Sequence, residues 1–474
     1  MILQRKNETV QCLPEFLTFW KQVGLKEALA RCCKNKQQGG NVFNTFTVFT
    51  TLFTLVFQER NFWRCSTSDP DTLPFGRDTA YRFLNSPFHN WRGFLIRLAQ
   101  KAIVFVAPLI SKEERKVFVV DDSLYNKNRS KKLELLSNVY DHVEQRFVRG
   151  FRLLTLAFTD GISLIPLDFA LLGSKKIICK ANPNIDGRSH GAARRVEAVC
   201  EAPAVLLSMI DKYGNIIKAG SYIVFDSWFS FPSLIRELTG RCLHVTARLK
   251  KNNTRYLFRR NCHNALLTLE QLYKKLPRIP LCVRKRQQGQ NSDIHGSICV
   301  SLPPDVDSAA IDVRIIFLKN KSSKNSQDWI AILTTDLELP EEEVVLMYAK
   351  RWKIEEFFKV AKSLLQLEHE FQGRSYDMLI AHSTLVCVRF IFLELERRKT
   401  LDIRTYGELF YCCCDELPEL RLREAVALIF ECMKAFLTMF SPDNKNIIDS
   451  CLKYFISALP SHLLHLLPVP GCVS

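Results

Sequence analysis

The chain has 474 residues, is 47% hydrophobic and 24% charged, and carries a formal net charge of +17 with a pI near 9.2. That composition excludes a largely disordered chain and predicts about two to four globular domains. The basic surplus points to a polyanionic partner, either nucleic acid or an acidic membrane surface. The 17 cysteines include no Cys-x-x-Cys pair, and the runs Cys32-Cys33 and Cys412-Cys413-Cys414 suit neither a zinc site nor a disulfide framework. The expectation is buried free thiols in a reducing cytosol.

Residues 1–113 read as helices, with no signal peptide and no strand alternation. The most apolar early stretch, Val42 to Phe57, is too short to span a bilayer and carries Asn44 and several threonines. Its Phe43, Phe46, Phe49, Phe53 and Phe57 recur at helical spacing and predict one buried helix face. Arg77-Asp-Thr-Ala-Tyr81-Arg82-Phe-Leu predicts a short helix stopped by Asn85-Ser-Pro87, with Arg77, Tyr81 and Arg82 available to phosphate or simply part of a helical bundle.

From about residue 114 the pattern becomes that of strands. Val117 to Val120 is a short β-branched and aromatic run ending on Asp121-Asp122, and Phe151 to Phe158 is a second, closed by the turn Thr159-Asp160-Gly161. Ile162 to Leu172 is a third strand, Gly191 to about Tyr213 a helix, and Tyr222 to Phe225 a further strand ending on Asp226. Three strands, a helix and another strand, with acidic residues at strand ends, is the order of an RNase H-like core. Residues 247–325 then hold sixteen Lys or Arg against five Asp or Glu, a net of +11. Arg259-Arg260, Lys274-Lys275 and Arg284-Lys285-Arg286 are the densest clusters of this basic, β-rich insertion, a surface suited to tracking phosphates. Strands resume at Val313 to Leu318 and Trp329 to Thr334, and Pro340-Glu-Glu-Glu opens a helix with the acidic first turn its dipole favours. Helices follow to the end.

That helix carries Tyr348-Ala-Lys-Arg351-Trp-Lys-Ile-Glu355-Glu-Phe-Phe-Lys359-Val-Ala-Lys362. At about 100° per residue, Arg351, Glu355 and Lys362 fall within about 60° of Tyr348. One face thus offers a phenol, a guanidinium, a carboxylate and an ammonium, able to grip phosphate and share a metal ion. Glu356 is out of phase with Arg351 and Lys362. Phosphodiester cleavage and strand transfer need an activated oxygen nucleophile and a stabilised leaving oxygen, which two divalent ions about 4 Å apart supply when carboxylates hold them. Asp226, Glu355 and one of Asp121 or Asp122 are the candidates. Neighbours on a strand point to opposite faces, and alternation in Val117 to Val120, apolar on both faces, leaves the choice open.

The spacing Tyr, two residues, Arg, three, Glu, six, Lys resembles the signature of IS4-family DDE transposases. Val-Phe-Val-Val-Asp-Asp-Ser and Ile-Val-Phe-Asp226-Ser-Trp resemble that family's first and second acidic motifs, with Ser123 where a threonine is usual. The resemblance covers about residues 114–395. It implies an α/β fold: an RNase H-like core of mixed sheet and flanking helices in two parts, 114–246 and 326–395. The basic insertion 247–325 interrupts it. A helical DNA-binding region (1–113) and a helical C-terminal region (396–474) that could dimerise flank it. It favours Asp122 of the acidic pair and implies a catalytic and metal-binding triad of Asp122, Asp226 and Glu355, with two Mg²⁺ or Mn²⁺ ions. Tyr348, Arg351, Lys359 and Lys362 are then DNA contacts, and Trp329 corresponds to a tryptophan that stacks on a flipped base. The implied function is that of an insertion-sequence transposase in the bacterial or archaeal cytoplasm, with no membrane partner. It binds terminal inverted repeats and target DNA as a homodimer and works by cut and paste through a hairpin. The alternatives are a catalytically inactive DNA-binding derivative and an RNase H-like nuclease without strand transfer. Tyr125, His142, Arg146, Arg149 and the Arg188–His190 loop carry no assigned role.

Overall fold

The computed structural model describes residues 13–33, 44–68, 73–110, 115–141, 143–174, 176–260, 263–276, 293–303, 309–320, 328–371, 373–399, 404–415 and 454. Six helices come first: α1 (Pro14–Gln22), α2 (Leu25–Cys32), α3 (Thr45–Thr54), α4 (Phe62–Ser68), α5 (Arg77–Leu84) and α6 (Trp91–Val106). Phe49, Phe53 and Phe57 are buried, as their spacing predicts, and Phe53 and Phe57 meet Phe16 of α1 within ring-contact distance. Phe43 lies outside the described residues. Helix α5 has the bounds its sequence implies, stopping at Asn85.

Four strands follow, β1 (Val117–Asn126), β2 (Ser137–Asp141), β3 (Arg146–Thr159) and β4 (Leu164–Leu172), then helices α7 (His190–Glu197) and α8 (Ala202–Lys212). The single helix expected over 191–213 is thus two, broken before Pro203, which sits in the first turn of α8 where its missing N–H costs nothing. Next come β5 (Tyr222–Phe225), α9 (Pro232–Gly240), β6 (His244–Leu249), β7 (Arg255–Arg260), β8 (His263–Thr268), α10 (Leu269–Lys274), β9 (Ile294–Leu302), β10 (Ile311–Lys319) and β11 (Trp329–Thr334). The single signature helix expected after β11 is two, α11 (Glu341–Ala349) and α12 (Trp352–Ser363), and α13 (Tyr376–Lys399) follows.

All eleven strands form one sheet. β4, β3 and β1 run antiparallel, and β5 and β6 continue from β1 in parallel. This is a mixed α/β fold whose β4-β3-β1-β5-β6 order is that of an RNase H-like core. Beyond β6 the sheet continues through β11, β10, β9, β7 and β8, so the basic stretch lengthens the same sheet. Its Arg284-Lys285-Arg286 cluster lies outside the described residues, as does most of the C-terminal region beyond 415.

β4 is buried along its whole length, yet it holds Pro166 and Asp168. The proline sits where the β3–β4 register shifts, a bulge that spares a missing ladder donor. Asp168 is neutralised by Arg92 of α6, whose Nη2 donates to it at 2.6 Å, and by the Tyr213 hydroxyl at 2.8 Å. Helix α13 runs through the interior. Among the described residues it is the one helix long and apolar enough to cross a membrane, and its apolar window is wholly buried in the fold. Every described cysteine is a free thiol.

Candidate active site at the strand ends

Val120 pairs with Phe225 at the last rung of the parallel β1–β5 ladder. Asp121 and Asp226 are the next residues on the two strands. Parallel neighbours lie about 4.8 Å apart, so the two carboxylates start side by side where β5 ends. β1 does not stop at the acidic pair, as the short apolar run suggested. It continues to Asn126 against β3 alone, leaving its β5 side open from Asp121 onward.

The two aspartates point to opposite faces. Asp121 faces the signature helices: Arg351 Nη1 donates to its Oδ2 at 2.9 Å. Asp122 faces away and pairs with Arg152 of β3. Sequence resemblance favoured Asp122, whereas the residue that meets Arg351 is Asp121.

Residues 350–351 form a turn between α11 and α12. Four i→i+3 bonds tighten the chain there, from Lys350 N–H to Met347 at 3.2 Å, Arg351 to Tyr348 at 3.0 Å, Lys353 to Lys350 at 3.2 Å and Ile354 to Arg351 at 3.1 Å. Such a tight turn stacks residues three apart. Arg351 accordingly lies 5.7 Å from the Tyr348 ring centre. Its Nη2 reaches Glu355 Oε1 at 2.5 Å, and the Tyr348 hydroxyl donates to Asp226 Oδ1 at 3.2 Å. Asp121, Asp226 and Glu355 are thus gathered by Arg351 and Tyr348. Glu356 pairs instead with Lys353 at 2.9 Å, in keeping with its phase.

Burial, reinforced by Asp122 and Asp226 and opposed by Arg351, pushes the Asp121 carboxyl up to about 7. Burial lowers the Arg351 guanidinium, but Tyr348, Asp121, Asp226 and Glu355 together outweigh it and hold the charge. The Tyr348 phenol is pushed up, chiefly by burial. The donor set of hard carboxylate oxygens fits Mg²⁺ or Mn²⁺. Among the described residues no group of three acidic, His or Cys side chains closes into a ligand cluster, and Arg351 bridges Asp121 and Glu355.

Lys362 is on the inner side of α12, where its ammonium donates to the Leu124 carbonyl at 2.6 Å and lies 3.5 Å from Glu368. Lys359 is exposed on the same helix. Trp329 opens β11, is only 7% exposed, and stacks on Tyr273 with centroids 4.9 Å apart while Lys251 sits 4.2 Å from its ring centre. Its faces are therefore engaged within the protein. Arg77 and Tyr81 line an open cleft of about 680 Å³ with Trp63 and Arg374, while the Arg82 guanidinium turns back to the Asp78 carbonyl. Arg188 pairs with Asp186, Arg146 pairs with Glu144, Tyr125 is fully buried, and His142 lies outside the described residues. Sequence reading passed over Arg152 and Trp228. Trp228 follows Asp226 by two residues, a proximity that was visible, but Arg152 is thirty residues from Asp122 and only the β1–β3 register brings it near.

Residues 68–267 match the family model for the DDE superfamily endonuclease, and residues 196–387 match that for the transposase DDE domain. A solved structure, the cryo-EM piggyBac transposase synaptic complex with hairpin DNA, is similar at 11% identity and a TM-score of 0.44, over 97% of this chain and 87% of that one. No curated protein matches in sequence. The two matched stretches, 68–267 and 196–387, include the strands and helices that build the site.

Proposed function

We propose that this protein is a transposase of the DDE type that cuts DNA at the ends of a mobile element and joins them to a target. The reading rests on one observation: Asp121 and Asp226 are the residues that follow the last paired rung of the parallel β1 and β5 strands, and Glu355 is tied to the same point through Arg351. Carboxylates carried on sheet and helix positions, held by a buried framework, are the placement that phosphoryl transfer calls for.

Asp121, Asp226 and Glu355 would hold the Mg²⁺ or Mn²⁺, two ions being expected. Bound there, the metal supplies nucleophile activation and neutralises charge on the leaving oxygen. Arg351 then exchanges its carboxylate partners for a phosphate, which a guanidinium can take in two-point fashion. Tyr348 keeps Asp226 oriented through its hydroxyl. Lys359 and Lys362 meet flanking phosphates, and the basic strands beyond β6 extend that track. The family resemblance further supports an insertion-sequence element of the IS4 kind, a hairpin route, and a homodimer holding two ends.

The test is a labelled duplex carrying the DNA that flanks the protein's own coding sequence, incubated with Mg²⁺ or Mn²⁺ or EDTA. Metal-dependent nicking followed by a hairpin or joined product, lost in Glu355→Ala and Asp226→Ala while both variants still bind, is the expected result. Nicking without joining would leave a nuclease. Specific binding with no nicking in either metal would leave a DNA-binding derivative.

A further inference from the structure

β3 is longer than its partners. β1 pairs with it only as far as Gly150, and β4 only from Arg152. Among the described residues, 146–149 of β3 therefore pair with β2 alone. The rungs Tyr140↔Phe147 and Asn138↔Arg149 lie on one face of this two-stranded ribbon, and Val139↔Val148 on the other. Val139 and Val148 are buried, so that face lies on the protein. The opposite face is open: Phe147 is 69% exposed, with its ring centre 5.3 Å from that of Tyr140, and Arg149 is exposed beside it. At the tip, the Asp141 carboxylate accepts the Val143 and Glu144 N–H groups at 2.8 and 3.3 Å. That fixes the turn and leaves Val143 almost wholly exposed.

The open face is the one that carries the site. Alternation runs unbroken along β3 from Phe147 through Arg149, Phe151 and Leu153 to Thr155, the partner of Asp121. Phe151 and Leu153 are buried, Phe151 against Tyr376 of α13, so the face is covered near the site and emerges at the ribbon. Eight residues at about 3.3 Å put Phe147 about 26 Å from the rung of Asp121, the length of about eight base pairs. The charge there suits a duplex. The β1–β2 loop passes beside the ribbon, where Asn128 Oδ1 accepts the Arg149 N–H at 3.4 Å, and it shows exposed Arg129, Lys131 and Lys132. The acidic groups of 127–149 are engaged: Glu144 pairs with Arg146, Glu134 with Arg195, and Asp141 is taken up by its turn. A two-stranded ribbon fits a DNA groove, cations meet phosphates, and apolar side chains press against base steps.

We infer that the β2–β3 ribbon is an arm that docks in a groove of duplex DNA about eight base pairs from the bond cut at the strand-end carboxylates. Phe147 and Val143 are its apolar contacts, and Arg149, Arg129, Lys131 and Lys132 meet the phosphates. The inference rests on the transposase reading. It adds a second hold on the duplex, at the opposite edge of the sheet from the basic strands beyond β6. It also gives a role to the stretch Tyr140 to Gly150, which the cleavage chemistry does not use.

The experiment uses the full chain and nested duplexes of the DNA flanking its coding sequence, shortened stepwise toward the nick from either side. Binding is followed by fluorescence anisotropy and nicking in Mg²⁺. Wild type should lose affinity in a step as the duplex on one side falls below about eight base pairs. Phe147→Ala should weaken binding to the long duplexes about tenfold and remove the step, with binding and nicking of the shortest duplexes within about twofold of wild type. Phe147→Leu keeps an apolar contact and should restore most of the loss. Arg149→Ala should lower the salt dependence on long duplexes by about one phosphate contact. A Phe147→Ala protein that binds every length as wild type does overturns the inference and leaves the transposase reading standing. So does a Phe147→Ala loss that sedimentation traces to a changed oligomeric state, which would make the ribbon an interface between copies. If wild type binds and nicks none of the duplexes, the transposase reading falls and the inference with it.

Discussion

Two arginines in this molecule, Arg389 and Arg351, each bind a carboxylate, and they serve different ends. Arg389 of α13 is fully buried, donates to Glu370 at 2.5 and 2.8 Å, and also to the Phe53 and Leu52 carbonyls at 3.0 and 2.5 Å. Those carbonyls end α3, so the cation satisfies a helix C-terminus as well as a carboxylate. Burial raises the Glu370 carboxyl, but Arg389 and His382 outweigh it and hold it below its ordinary range. Arg351 meets two carboxylates, Asp121 and Glu355, where β5 ends, and Glu355 keeps 37% of its side chain exposed. Arg389 has no exchangeable partner, whereas Arg351 can trade its partners for phosphate. Burial and added backbone bonds thus separate a structural clamp from a functional one.

Replacing Arg389 is the sharpest way to break that contrast. Arg389→Ala leaves Glu370 in the core with only His382 beside it and should cost about 3–5 kcal/mol in urea unfolding, with Glu370→Leu added to Arg389→Met recovering most of it. Glu355→Ala should do the reverse, lowering cleavage by at least about 10²–10³-fold while leaving the unfolding midpoint unchanged. If Glu355→Ala destabilised as Arg389→Ala does, the distinction would fail.

Acid should separate the two regions next. His89 is buried beside Phe83 and Trp91, its carbonyl accepts from Arg194 at 2.8 Å, and burial, then Arg194, lower its imidazole to about 4. A folded value below the unfolded one means the unfolded chain takes up the proton first. Stability should therefore fall as pH drops from about 6.5 to about 4, by up to about 3 kcal/mol, and His89→Phe should flatten that slope in pH-dependent melting. The smallest effect belongs to Lys362. Its partly exposed bond to Leu124 predicts less than about 1 kcal/mol lost in Lys362→Ala, but the salt dependence of DNA binding should fall by about one phosphate contact.

Much of this was legible in the sequence, because strand and helix periodicity report burial. The RNase H-like order, the N-terminal helices and the candidate set Asp226, Glu355, Tyr348 and Arg351 follow from patterns of residues close in the chain. The choice between Asp121 and Asp122 was not legible. Val117 to Val120 is apolar on both faces, and only the packing of α12 against β1 shows that Asp121 is the one that meets Arg351. The break at Lys350-Arg351 escaped notice because no Gly or Pro marks it. The enclosure of Trp329 was not legible either, since Tyr273 is more than fifty residues away in the chain and meets it only in the fold.

The most direct measurement compares Asp121→Asn and Asp122→Asn in metal-dependent nicking of DNA flanking the coding sequence, with unfolding recorded for each. Loss of nicking in Asp121→Asn with nicking retained in Asp122→Asn is what the geometry predicts. Nicking that survives in Asp121→Asn and vanishes in a folded Asp122→Asn would contradict it.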